Sequence, residues 1–112
     1  MYICKTFTEL DVILDNRELE KLYTTGKSRK LKLPEHVIGK FFATVQKFEA
    51  AVSIHDLLSD KGLNFEKLGG FKNRYSVRLS GKYRLEMEMK WEDDEHTTGR
   101  AFLQTISNHY GD

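Results

Sequence analysis

Between Phe65 and Leu85 the chain carries six basic residues, Lys67, Lys72, Arg74, Arg78, Lys82 and Arg84, against the single acid Glu66. Over the whole chain 18 Lys+Arg stand against 17 Asp+Glu, a formal net charge of +1, so any basic site must be local. In the same stretch Tyr75, Val77 and Leu79 alternate with Ser76, Arg78 and Ser80, and then Tyr83, Leu85, Met87, Met89 and Trp91 alternate with Arg84, Glu86, Glu88 and Lys90. A period of two predicts strands with one apolar and one polar face. Folding the two runs about Ser80–Gly81–Lys82 with their apolar residues on a common face sets Arg78 opposite Arg84. Like charges on directly opposed residues, with Cβ atoms about 4.5–5.5 Å apart, destabilise a sheet. Such a pair calls for an anion, and guanidinium groups bind phosphate bidentately. Lys72, Arg74 and Lys82 extend the same positive surface toward a nucleic-acid backbone. The competing reading pairs the arginines with Glu86 and Glu88 of their own face and makes the basic run a solvated surface.

The elements that must position these residues follow from periodicity. Residues 100–109 read as a last strand with Phe102, Ile106 and Tyr110 on one face and Thr105, Ser107 and His109 on the other. Matching Met89 with Phe102 and Leu85 with Ile106 places Ser107 beside Arg84 and His109 beside Lys82, so two arginines and a histidine gather at one end of the polar face. Tyr110 falls on the apolar face, where it serves either as a core or edge aromatic or as a stacking partner for a base.

Upstream the period is 3.6. Tyr2–Phe7 and Asp11–Leu14 are short β-prone stretches, and Asp15–Asn16 supply an N-cap for a helix over Arg17–Thr25 that turns Leu19, Leu22 and Tyr23 inward and ends at Gly26. Lys27–Lys32 is an exposed basic loop. Pro34–Glu35 opens the main helix, whose apolar positions Val37, Ile38, Phe41, Val45, Phe48 and Val52 step by three or four, and Ser53–Asp56 is a capping box for a short third helix. Glu92–Glu95 forms an acidic loop between the last two strands. The expected fold is α+β, with N-terminal helices packed on one face of a C-terminal antiparallel β-sheet and the other face open to solvent.

A length of 112 residues holds one core and no second domain. A hydrophobic share of 39% with one Pro excludes a disordered chain. The apolar runs, such as Ala50–Val52, are too short to cross a bilayer, and the first residues lack a signal-peptide pattern, so a soluble cytoplasmic protein is expected. Cys4 is alone, and His36, His55, His96 and His109 show no ligand spacing, so no disulfide and no metal site is expected.

Phe65–Gly70, Tyr75–Leu79, Tyr83–Leu85 and the ending Ile106–Ser107–Asn108–His109–Tyr110 resemble, in order and spacing, the strand motifs of HigB-like toxins of the RelE superfamily. Leu22–Arg29 extends the likeness into the N-terminal half, leaving residues 1–10 as a variable extension of a single RelE-like domain. The resemblance implies the toxin of a type II toxin–antitoxin system: a ribosome-dependent mRNA endonuclease that needs no metal and no cofactor, held inactive by a cognate antitoxin that is commonly a helix-turn-helix DNA-binding protein. The implied reaction is attack of a ribose 2′-hydroxyl on the adjacent phosphate, leaving a 2′,3′-cyclic phosphate. Arg78 and Arg84 match the family's strand arginines as the phosphate clamp, and His109 matches its C-terminal histidine as base or acid.

Two positions depart from the pattern. Gly69 stands where many relatives have lysine, so Lys67, or Lys72, would have to supply that charge, and Ser107–Asn108–His109 replaces the family's Asp-Tyr-His. These departures keep a second reading open, a catalytically silent relative that binds RNA, the ribosome or its antitoxin.

Overall fold

The computed structural model describes residues 10–28 and 30–108. Their elements are β1 (Leu10–Leu14), α1 (Arg17–Thr25), α2 (Glu35–Ala50), α3 (Ile54–Leu58), β2 (Glu66–Lys67), β3 (Arg74–Arg78), β4 (Tyr83–Trp91) and β5 (Gly99–Asn108). The expected Tyr2–Phe7 stretch lies outside the described residues, whereas Leu10, grouped above with the variable extension, is fully buried at the start of β1. None of the described helices is long and apolar enough to cross a membrane.

Local chemistry sets the helix ends. The Asn16 side chain accepts from the backbone N–H groups of Glu18 and Leu19 at 2.7 and 3.4 Å, and Gly26 closes α1 in the left-handed conformation at φ 80°. Ser53 and Asp56 form the capping box of α3. The apolar stripe of α2 buries Val37, Phe41, Val45 and Phe48 completely. Val52 does not continue it: the helix stops at Ala50, Ala51 turns extended, and Val52 is left exposed.

The sheet corrects the antiparallel expectation. Its order is β1-β5-β4-β3-β2, with β2, β3, β4 and β5 joined antiparallel and β1 joined parallel to β5, Leu10 beside Gly99 and Leu14 beside Leu103. The sheet is therefore mixed. A near-continuous apolar run, here Leu10, Val12, Ile13 and Leu14, is the mark of a strand buried on both sides, and such strands suit parallel pairing through a helical crossover. Side chains of α1 and α2 pack with Leu10, Val12, Leu14, Val77, Leu85, Met87, Met89, Ala101 and Leu103 into one core on one face of the sheet. Gly99 sits so close to β4 that an added Cβ would lie 2.3 Å from the Lys90 carbonyl oxygen.

The second correction is a register shift. Leu85 pairs with Ile106 and Glu86 with Thr105, as the alternation requires, but Met87 pairs with Leu103 and Met89 with Ala101 instead of Phe102. Gln104 is the extra residue of a β-bulge. The bulge moves Phe102 to the polar face opposite Glu88, where the Lys90 ammonium lies 5.0 Å from its ring centroid. It is also tied to α1, because the Asn16 amide donates to the Gln104 carbonyl at 2.7 Å while Asp15 N–H donates to Leu103 O at 2.9 Å.

Candidate phosphate-binding face

Strand alternation and the register together put Arg74, Ser76 and Arg78 of β3, Arg84, Glu86 and Glu88 of β4, Thr105 and Ser107 of β5, and Glu66 of β2 on the face away from the helices. Arg78 is the register partner of Arg84, and Arg84 the partner of Ser107. The hairpin turn leaves Lys82 exposed at the same end, the Ser80 hydroxyl accepting from the backbone N–H groups of Lys82 and Tyr83 at 3.2 Å.

The two arginines nonetheless occupy different environments. Arg78 is exposed and forms no ion pair among the described residues. Arg84 is only 5% exposed; its guanidinium donates to Glu66 Oε1 at 2.5 Å and to Ser76 Oγ at 3.3 Å, and Ser76 is itself fully buried. Glu66 is the lone acid of the basic segment, and β2, two residues long, exists where it pairs Glu66 with Ser76 and so delivers the carboxylate to Arg84. The competing reading, arginines paired with Glu86 and Glu88, holds for Arg74, which pairs with Glu86, whereas Arg84 pairs with Glu66.

Arg74 is held in a second network. Its guanidinium donates to Glu86 Oε1 at 3.0 Å and to Gln104 Oε1 at 2.5 Å, and the other Glu86 oxygen accepts from the Ser107 hydroxyl at 2.6 Å. Arg74 also lies 5.6 Å from the ring centroid of the exposed Phe71. Its charge is thus partly neutralised within the sheet, which weakens it as a phosphate contact and makes it an organiser of the face. The bulge at Gln104 creates this arrangement by presenting a side-chain oxygen to Arg74.

Lys67 and Lys72 do not join the arginines. Lys67 pairs with Tyr75, which puts it on the helix side of the sheet, and both lysines are at the far end of β4, beside Trp91 and the loop that follows it. The reason is again alternation: Glu66 and Lys67 are neighbours and face opposite ways. His109 and Tyr110 lie outside the described residues; β5 leads toward them from Ser107 and Asn108, the latter paired with Tyr83.

The arrangement offers one exposed guanidinium, Arg78, a second on the adjacent strand, Arg84, held by a carboxylate and a hydroxyl, and the exposed Lys82. It can grip a phosphate, Arg78 making the contact and Arg84 supplying a fixed positive charge. Among the described residues no group of three or more His, Cys, Asp or Glu side chains is arranged to hold a metal ion. Glu66, Ser76 and Gln104 are the residues that sequence reasoning passed over. Glu66 was conspicuous as the sole acid in its segment, and the three-residue step from Leu103 to Ile106, where two is expected, is the trace of the bulge.

Compared with known proteins, the chain matches no family model, and no curated protein matches it.

Proposed function

We propose that the chain is a RelE-like toxin of the HigB type, an mRNA endonuclease that acts on the ribosome in the cytoplasm and is restrained by a cognate antitoxin. The observation that carries this reading is the direct pairing of exposed Arg78 with Arg84 at the end of the sheet where β5 runs toward His109. The α+β architecture, with helices on one face and a polar opposite face, is compatible with the RelE-like arrangement. In this reading Arg78 binds the scissile phosphate, Arg84 stabilises charge developing on the phosphorane, and His109 transfers a proton. In this reading the ribosome orients the RNA across the polar face of the sheet.

One observation favours the catalytically silent alternative: Glu66 and Glu86 already occupy Arg84 and Arg74, so much of the basic segment is spent on internal pairs. Induced expression in cells without the partner, with primer extension on a translated message, separates the two. Growth arrest with new cleavage ends inside the reading frame supports the toxin. Normal growth with intact message supports the silent relative.

A further inference from the structure

At the opposite end of β4 from Arg84, about 23 Å away along the strand at 3.3 Å per residue, the loop between β4 and β5 forms one wall of a cleft of about 440 Å³. Its floor is aromatic. The His96 imidazole lies parallel to the Trp91 indole, with centroids 4.8 Å apart and planes at 4°, and His96 is exposed. Trp91 in turn meets Tyr75 edge-on at 5.7 Å, and Tyr75 stacks on Phe65 at 5.1 Å, so the platform is braced from the core outward.

The platform is held at a conformational cost. His96 adopts φ 59°, a left-handed backbone uncommon for a residue with a side chain, and strain of this kind is retained where the surroundings over-determine it. What fixes it is Asp93, whose carboxylate accepts from the Thr97 and Thr98 backbone N–H groups at 2.9 and 3.0 Å and from the Thr97 hydroxyl, while its carbonyl accepts from His96 N–H at 3.2 Å. The rest of the cleft is chemically two-sided, with Lys67 and Lys72 exposed on one wall and the exposed carboxylates of Glu92 and Asp94 on the other.

A ligand that suits this cleft is planar, carries an anion at one end and presents N–H donors at the other. We propose that it is a nucleotide site: the base stacks on His96, the carboxylates accept from the N–H edge of the base, and the two lysines take the phosphate. Guanine fits best, because its ring N–H and exocyclic amine lie side by side and engage one carboxylate through both oxygens. The nucleotide is either free or part of an RNA strand. The site goes beyond the toxin reading and stands without it, since no residue of the arginine pair takes part.

Trp91 is the sole tryptophan of the chain, so its fluorescence reports on the cleft directly. The experiment titrates the full chain with GMP, UMP and phenylalanine, corrected for absorbance with free tryptophan, and then with a hexanucleotide containing guanine and one of uridine alone. Saturable quenching by GMP, at least tenfold tighter than by UMP, is expected. A hexanucleotide preference over GMP assigns the site to RNA, and the reverse assigns it to a free nucleotide. His96→Gly removes the ring and relieves the left-handed backbone, so it should lose about tenfold in affinity with an unchanged or higher melting temperature. Lys67→Ala with Lys72→Ala should weaken GMP about tenfold and leave guanosine unaffected. Equal quenching by GMP and UMP, saturation by phenylalanine alone, no saturable quenching, or full affinity in His96→Gly would overturn the proposal.

Discussion

Arg78 and Arg84 are direct register partners across β3 and β4, yet Arg78 is exposed while Arg84 is 5% exposed and bonded to Glu66 and Ser76. Opposed like charges are tolerated here because a carboxylate from a neighbouring strand neutralises the buried member. The two positions therefore answer differently to the same substitution. Arg78→Ala removes an exposed side chain and relieves repulsion, so its stability should stay within about 0.5 kcal/mol of the parent. Arg84→Ala strands the buried Ser76 hydroxyl and removes an ion pair, at a cost of about 1–3 kcal/mol; the half-exposed Glu66 keeps it below the cost of a fully buried pair. Denaturant melts of the two variants check the difference. A growth assay beside them tests function, and Arg78→Ala is the cleaner variant, since it should lose toxicity while remaining folded. A fully toxic Arg78→Ala contradicts the phosphate clamp.

His109→Gln should abolish cleavage with little change in ribosome binding, because a proton-transferring imidazole contributes to the chemical step more than to association. Co-sedimentation with ribosomes measures binding while primer extension measures cleavage. Loss of both together assigns the residue to positioning.

Cleavage should persist in a chelator once the ribosome's own magnesium requirement is controlled for, because in the proposed reaction the ribose 2′-hydroxyl is the nucleophile and guanidinium and imidazole groups handle the charge and the proton. Activity restored only by an added divalent ion would contradict this.

Thr44 is fully buried in α2, and its hydroxyl has no hydrogen-bond partner among the described residues. Thr44→Val keeps the shape and removes the unsatisfied group, so thermal melts should show a gain of about 0.5–1.5 kcal/mol.

The Asp93 carboxyl is held down to about 2, chiefly by the Thr97 hydroxyl and the Thr98 backbone N–H. A depressed carboxyl stabilises the fold fully above its unfolded value near 4, and the contribution disappears as pH falls through about 2. The Thr97 and Thr98 amide shifts of the folded protein, and Trp91 fluorescence with them, should thus change with a midpoint near pH 2, while stability falls between about pH 4 and pH 2. Asp93→Asn should remove that transition. An Asp93 carboxyl titrating near 4 would show that the loop is not held as described.

Local rules made much of this molecule legible in its sequence. Asn16, Gly26 and Ser53 mark helix ends because capping depends on a few adjacent backbone groups, and the Arg78–Arg84 pairing follows from a strict period of two on either side of a tight turn. Tertiary structure decided what local pattern leaves open. An apolar run says that Leu10–Leu14 is a buried strand, but only the path of the chain through α1 and α2 makes β5 its parallel partner. The alternation of β5 is interrupted once, at Gln104, and because one inserted residue exchanges the faces of everything beyond it, Phe102 moves to the polar side and Arg74 gains a partner. The environment of Arg84 depended on Glu66, eighteen residues away on another strand, and a residue's charge neutralisation is set by what the fold brings within a few ångströms, which sequence distance does not encode.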